Sequence, residues 1–164
     1  RDQTMIRWGI IGPGGIARDF REGAVGSTSG KIVAVGTRNP TNPNLLRDFP
    51  GIRVHDGYDA LIADPDVDAI YISTPHPFHA DCAIRAARGG KHVLCEKPLG
   101  MSIREIEAMF AEAAKAGTFM AEAFMYRLHP MTQRIVELVR DGAIGEFVVI
   151  RIASDVCRKL SPEP

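Results

Sequence analysis

Three small residues at fixed spacing, Gly12, Gly14 and Ala17, form the first group in this chain that could bind a ligand. The pattern Gly-x-Gly-x-x-Ala is typical of the turn that joins a buried strand to a helix and holds a dinucleotide. The first glycine permits a sharp turn, and the second lets the backbone approach a pyrophosphate without an intervening side chain. The following helix would point its N-terminal N–H groups at the anion. We therefore predict that this turn contacts a cofactor through Gly12, Pro13, Gly14, Gly15 and Ile16.

Any glycine-rich turn between a strand and a helix can imitate this motif, so the residues around it must supply its context. Trp8 to Ile11 reads as a buried strand, Ile16 to Ala24 as a helix, and Lys31 to Gly36 as a second strand. A strand, a helix and a strand within about 30 residues form the βαβ unit that the dinucleotide motif requires. The context favours a cofactor site over an ordinary turn.

The end of the second strand bears on which dinucleotide fits. Chains that select NAD usually place Asp or Glu there to bind the ribose 2′-hydroxyl, whereas this chain has Thr37, Arg38 and Asn39. A guanidinium pairs well with phosphate, and no carboxylate in this triplet repels a 2′-phosphate. We predict that Thr37 and Arg38 bind the cofactor, with NADP favoured and NAD kept as an alternative. An arginine that is merely solvated at a strand end is the competing interpretation of Arg38.

Strands and helices continue to alternate along the chain, which predicts an α/β fold with a doubly wound parallel sheet. In such sheets ligands lie beyond the carboxyl ends of the strands. The loop after the strand Ala69 to Ser73 should therefore face the cofactor, with Thr74, Pro75, His76 and His79 as contacts to its nicotinamide half. Tyr71, within that strand, is predicted to be a packed residue without a role. A capped helix is predicted over Ser102 to Ala116, with Glu105 completing a capping box.

The histidines and cysteines of this region also allow a zinc hypothesis. His76, His79 and Cys82 are spaced three residues apart, and His92 and Cys95 follow. However, residues 79 and 82 are expected on a helix, and strand residues 92 and 95 point to opposite faces. The prediction is that the chain binds no metal.

Composition excludes several other functions. The net charge is zero and no basic tract is present, which argues against a nucleic-acid partner. No run approaches the ~20 apolar residues of a membrane span. The first residues show no signal-peptide pattern, and an odd number of cysteines, three, is most simply a set of free thiols in a cytoplasmic protein.

Four segments in this order resemble one family, the glucose–fructose oxidoreductase/inositol dehydrogenase family of NAD(P)-dependent oxidoreductases. The segments are GIIGPGGIA (9–17), STPHPFH (73–79), CEKPLG (95–100) and EAFMYRLHP (122–130), and GAIGE (142–146) adds a fifth. The last segments are most similar to the branch of dihydrodiol dehydrogenase and NADP-dependent xylose dehydrogenase. The Glu-Lys-Pro loop is the most specific element of the resemblance.

The resemblance implies a Rossmann domain over residues 1–123 and, at 124–164, the beginning of a second α/β domain that carries the substrate pocket. It implies hydride transfer between nicotinamide and a small molecule, a sugar or cyclic polyol, in a protein that is a homo-oligomer when full length. The family's Asp-x-Gly-x-His-like segment is not found here. A non-catalytic NADP-binding module is therefore the alternative function.

The resemblance also implies roles for residues near the nicotinamide. Lys97 is expected beside the nicotinamide, as a cofactor contact, and beside the reacting hydroxyl, where it polarises the oxygen or shares in proton transfer; it is the predicted catalytic residue. Glu96 is expected either to orient Lys97 or to bind the nicotinamide ribose, and Arg127 to reach the cleft. Pro98 is expected to fix the turn through a cis peptide bond.

Overall fold

The structure is a computed structural model that describes residues 5–146, 148, 149 and 151. The chain divides into two compact units, Arg1–Phe124 and Met125–Pro164. Each is described by itself.

The first unit is built on a six-stranded, fully parallel sheet with the order β3-β2-β1-β4-β5-β6. This is the doubly wound Rossmann order, and it confirms the predicted fold class. Because the chain winds outward in both directions from β1, the carboxyl ends of β1 and β4 flank the point where the strand order reverses. The strands are β1 (Ile6–Ile11), β2 (Gly30–Thr37), β3 (Arg53–Asp56), β4 (Ala69–Ile72), β5 (His92–Cys95) and β6 (Met120–Glu122).

Helices connect the strands and cover both faces of the sheet. They are α1 (Gly15–Ala24), α2 (Pro43–Asp48), α3 (Tyr58–Ile62), α4 (His79–Arg88) and α5 (Ile103–Ala116), with a 3₁₀ turn at His76–Phe78 before α4. Alternation of side chains along the strands divides the core in two. Ile11, Ile70 and Ile72 belong to one buried cluster, whereas Ile10, Val35 and Tyr71 belong to the other.

The start of α5 departs in one detail from its prediction. Ser102 caps the helix, since its hydroxyl accepts a hydrogen bond from the Glu105 backbone N–H at 3.2 Å. The Glu105 carboxylate reaches past Ser102 and accepts instead from the N–H of Met101 at 2.8 Å. The capping box is therefore displaced by one residue at its return bond. Gly117, with φ of +68°, ends the helix.

The second unit begins with a 3₁₀ turn at Met125–Leu128 and continues with α6 (Pro130–Arg140). His129 caps α6 by accepting a hydrogen bond on Nδ1 from the Met131 N–H at 3.2 Å. The sequence also predicts a strand over Glu146 to Ile152; residues 146, 148, 149 and 151 are not in a strand, and 147, 150 and 152 lie outside the described residues. In the described residues, no helix is long and apolar enough to cross a membrane.

Candidate functional site

The glycine turn after β1 has the geometry that its sequence predicts. Gly12 has φ of +83°, a conformation that L side chains rarely adopt. A Cβ at this position would lie 2.9 Å from the backbone nitrogen of Thr74, so the turn approaches the end of β4 too closely for a side chain. The Gly14 N–H donates to the Gly12 carbonyl at 2.7 Å and closes the turn. Only glycine meets both demands at position 12.

The N-terminus of α1 lies open beyond this turn. Gly14 is its N-cap and makes no side-chain capping bond, and Gly14, Gly15 and Ile16 are exposed whereas Pro13 is half-buried. A Cβ on Gly14 would come no nearer than 3.9 Å to any heavy atom outside its immediate neighbours. The backbone N–H groups of the first helical turn therefore face free space that an anion can enter.

Ser73, directly after β4, fixes the position of this turn and was not singled out from sequence. Its hydroxyl donates to the Gly12 carbonyl at 2.9 Å, and its backbone N–H donates to the Ile11 carbonyl at 3.0 Å. The signal that could have identified it is a hydroxyl residue placed at the end of an apolar strand, next to the glycine turn in the sheet.

The end of β2 presents a guanidinium. Arg38 is exposed and lies over the Phe78 ring, with 5.7 Å between the guanidinium carbon and the ring centroid. Within the part of the chain that the structure describes, Arg38 makes no ion pair. The Thr37 hydroxyl accepts from the Asn39 N–H at 3.1 Å and shapes the turn. Asp56 of β3 is in register with Thr37, so one carboxylate does stand on the neighbouring strand.

The loop after β4 exposes Pro75 and His76 and buries Thr74 and His79. His79 has no exposed surface, and its Nε2 lies 2.8 Å from the Thr74 carbonyl and its Nδ1 2.9 Å from the Pro98 carbonyl. Each ring nitrogen therefore faces a backbone carbonyl, an oxygen that can only accept a hydrogen bond. The ring has no free nitrogen for a cofactor. In this structure His79 joins the loops after β4 and β5, and the contact with the cofactor expected from sequence stays a prediction.

The loop after β5 is held by its own Glu96 and by side chains from α4 and β6. The Lys97 N–H donates to Glu96 Oε2 at 3.2 Å, the Leu99 N–H donates to Glu122 Oε1 at 2.9 Å, and His79 contacts the Pro98 carbonyl. The Lys97–Pro98 peptide bond is cis, as predicted. The loop backbone therefore has a defined path at the carboxyl edge of the sheet.

Glu96 and Lys97 point to different environments. Glu96 is buried, and its Oε1 accepts a 2.6 Å hydrogen bond from the Tyr71 hydroxyl. Burial and this carboxylate raise the pKa of Tyr71 well above its ordinary value, so the phenol remains a proton donor. Lys97 is exposed, and among the described residues its ammonium has no hydrogen-bond or ion-pair partner. Glu96 was predicted either to orient Lys97 or to bind the nicotinamide ribose. The structure shows a contact of the first kind, in which Glu96 accepts a hydrogen bond from the backbone N–H of Lys97.

The sheet order brings most of the predicted residues to one edge. The turns that hold Gly12, Arg38, Thr74 and Lys97 follow β1, β2, β4 and β5, which are neighbouring parallel strands. Their carboxyl ends therefore lie side by side, at the place where ligands bind in open α/β sheets. Arg127 lies in the second unit, exposed on its 3₁₀ turn, and its approach to the cleft stays a prediction.

The zinc hypothesis concerns His76, His79, Cys82, His92 and Cys95, which the structure does not bring together as a ligand set. Among the residues that the structure describes, no group of three or more His, Cys, Asp or Glu side chains could hold a metal ion. Both His79 nitrogens face carbonyls, and His92 Nδ1 accepts from the Phe119 N–H at 2.9 Å. Cys82 and Cys95 are free buried thiols, and Cys157 lies outside the described residues.

Residues 6–124 match the profile of an oxidoreductase family with an NAD-binding Rossmann fold, GFO_IDH_MocA. D-xylose 1-dehydrogenase (NADP(+)) 2 of Haloferax volcanii is 41% identical over 135 residues, which cover 82% of this chain and 42% of that protein. Trans-1,2-dihydrobenzene-1,2-diol dehydrogenase of Mus musculus is 34% identical over 149 residues, which cover 89% of this chain and 45% of that protein. The chain thus spans less than half the length of these relatives.

A solved structure is similar over the same region. KijD10, a 3-ketoreductase from Actinomadura kijaniata crystallised with NADP, superposes with a TM-score of 0.79 at 34% identity. The similarity covers 87% of this chain and 46% of KijD10.

Proposed function

The chain belongs to this oxidoreductase family with an NAD-binding Rossmann fold, and we propose that it is the cofactor-binding part of an NADP-dependent enzyme. The enzyme transfers hydride between nicotinamide and a carbinol carbon of a sugar or cyclic polyol. The observation that carries the proposal is the exposed Lys97 ammonium. It extends from a loop that His79, Glu96 and Glu122 hold at the same sheet edge as the glycine turn.

The open N-terminus of α1 is the part that fits a dinucleotide. Its uncapped N–H groups and the positive end of its dipole suit a pyrophosphate, and the bare Gly14 leaves room for it. The loop residues Thr74, Pro75 and His76, beside the turn, are proposed to contact the nicotinamide half.

The preference for NADP rests on Arg38. Its guanidinium is exposed and is not neutralised by a carboxylate in the described part of the chain, so it can form charge-assisted bonds with a 2′-phosphate. The D-xylose dehydrogenase of Haloferax volcanii, a relative by sequence, is named for NADP, and KijD10 was crystallised with it. NAD is kept as the alternative because Asp56, a carboxylate that could bind a ribose 2′-hydroxyl, is in register with Thr37 on the neighbouring strand.

Lys97 is the proposed catalytic residue. When bound, the nicotinamide ring would supply or accept the hydride, which leaves the substrate oxygen as the atom that needs a proton partner. A lysine ammonium beside that oxygen can polarise it or exchange a proton with it. Because the backbone on both sides of Lys97 is held, the side chain searches only its own rotamers. We propose that Arg127 also binds the cofactor.

We further propose that the full-length protein is a cytoplasmic homo-oligomer acting on small molecules and not on nucleic acid. The zero net charge argues against a nucleic-acid partner, and the two buried free thiols suit a reducing compartment. The relatives are named for sugar and diol substrates, which supports a small-molecule substrate.

The test is turnover by the full-length protein. It is supplied with NADP⁺ and either D-xylose or trans-1,2-dihydrobenzene-1,2-diol, the compounds for which the two relatives by sequence are named. We expect NADP-dependent turnover of at least one compound.

Removing a general acid–base group costs about 10²–10⁴-fold in rate, so Lys97→Met should lower kcat by that factor while NADPH binding persists. The matched control is Lys115→Met, at the exposed end of α5, which should leave kcat unchanged. Cofactor binding without turnover of any sugar or polyol would indicate the non-catalytic module instead.

A further inference from the structure

Tyr71 places a hydroxyl group inside an otherwise apolar strand. All four residues of β4 are buried, and the Tyr71 ring stacks on Phe20 of α1 with ring centroids 4.0 Å apart. A buried phenol needs a hydrogen-bond partner, and this one donates to Glu96 at 2.6 Å, across the boundary between β4 and β5. The bond is short and goes to a charged acceptor, which is the stronger class of hydrogen bond.

The two oxygens of Glu96 receive different donors. Oε1 accepts from the Tyr71 hydroxyl, and Oε2 accepts from the backbone N–H of Lys97 at 3.2 Å. The contact to Lys97 is the longer of the two, so it depends on the carboxylate already being held in place. Without the phenol, Glu96 would be a buried carboxylate free to rotate and left with one long bond.

We propose that Tyr71 is a positioning residue for the reaction, because it holds Glu96 and, through Glu96, the backbone from which Lys97 extends. The inference rests on the proposed function of Lys97. Phe20, on which the Tyr71 ring stacks, belongs to α1, the helix that begins at the glycine turn. Tyr71 therefore packs against the proposed cofactor-binding helix and also anchors the Lys97 loop.

Tyr71→Phe removes the hydroxyl and leaves the stacked ring, so it isolates the hydrogen bond. The matched control is Tyr58→Phe: Tyr58 is half-buried on α3, and its hydroxyl makes no hydrogen bond to the residues that the structure describes. Both variants are made in the full-length protein. We measure kcat and KM with the best substrate of the turnover screen, and amide hydrogen exchange of peptides that contain residues 96–99.

Tyr71→Phe is expected to lower kcat about tenfold, which corresponds to the loss of one hydrogen bond to a charged group, and to change the KM for NADP⁺ less than about twofold. Amide exchange at residues 96–99 should accelerate in Tyr71→Phe and not in Tyr58→Phe. A purely structural role would change stability without this separation of kcat from KM. Equal kcat and equal exchange in the two variants would overturn the proposal.

A double-mutant cycle keeps the test decisive if Tyr71→Phe is also less stable. In a Glu96→Ala background the partner is already absent, so adding Tyr71→Phe should not accelerate exchange at residues 96–99 any further. Additive acceleration would refute action through Glu96. The exchange measurement does not need turnover. A wild-type protein that acts on none of the compounds would therefore refute the proposed function, while the exchange data would still decide the role of Tyr71.

Discussion

Replacing Gly12 by alanine tests the glycine turn through two separate costs. The φ of +83° lies in the left-handed region, where a residue with a side chain costs about 1–2 kcal/mol. The new Cβ would also stand 2.9 Å from the Thr74 nitrogen and 3.0 Å from its Cγ2, and overpacking of this kind costs about 1–3 kcal/mol. The free energy of unfolding should therefore fall by about 2–5 kcal/mol.

Variants of Gly26 and Gly14 separate the conformational cost at Gly12 from its steric cost, and both costs from a loss of cofactor binding. Gly26 has a similar φ of +78° but no heavy atom within 4 Å of an added Cβ, so Gly26→Ala should cost only the conformational part, about 1–2 kcal/mol. Gly14 has an ordinary φ of −101°, and Gly14→Ala should change stability by less than about 1 kcal/mol. Its methyl group would occupy the space proposed for the pyrophosphate, so the Kd for NADPH should rise about tenfold or more.

The assay combines urea unfolding, followed by circular dichroism, with titration by NADPH fluorescence, both on the full-length protein. Equal destabilisation by Gly12→Ala and Gly26→Ala would refute the close approach between Gly12 and Thr74. Unchanged NADPH affinity in Gly14→Ala would refute the placement of the pyrophosphate at this turn.

Three further predictions concern the cofactor preference set by Arg38, the reactivity of the buried thiols and the stability of the fold at acid pH. Arg38→Ala should weaken NADPH binding about 10- to 100-fold and NADH binding much less, because the lost bonds go to a charged phosphate; equal losses measured by titration would contradict the 2′-phosphate assignment. Burial raises the pKa of the Cys82 thiol to about 11 and that of Cys95 to about 12, so neither should react with a thiol reagent at pH 8 until urea unfolds the protein, as mass-mapped labelling can show. Burial alone would raise the pKa of Asp64, but hydrogen bonds from the Asp66 N–H and His55 and the charge of Arg53 outweigh it and leave the pKa below its ordinary 3.8. Asp64 therefore stabilises the fold above that pH, and this contribution is lost as the pH falls below about 4. The urea concentration at the unfolding midpoint should accordingly fall less steeply with decreasing pH in Asp64→Asn than in the wild type.

Local sequence signals were sufficient for the framework. The glycine turn, the apolar strands and the Ser102 cap depend on residues close in the chain, and the structure has them within a residue or two of their predicted bounds. The fully buried strands also read as continuous apolar runs, which is how a parallel sheet covered on both faces differs from an alternating one.

The supporting contacts of the site could not be read from local signals. His79 reaches Pro98 and Tyr71 reaches Glu96 across 19 and 25 residues of chain, so both pairs form only once β4 and β5 lie side by side in a fixed register. His79 was assigned to the cofactor because its loop faces the correct edge. Its position as the first residue of α4 turns the ring into the protein.

Tyr71 offered one signal that sequence reasoning did not use. A tyrosine in a buried strand must satisfy its hydroxyl, and the only acidic residue at the end of the next strand was Glu96. Pairing the two would have required the register in which Tyr71 is opposite Leu94.

The most direct test of the central claim is a titration of the folded, full-length protein with NADPH and with NADH under the same conditions. We expect saturable binding of one NADPH per chain, with a lower Kd than for NADH. A folded protein that binds neither nucleotide would contradict the cofactor site, and one that binds NADH more tightly would contradict the role assigned to Arg38.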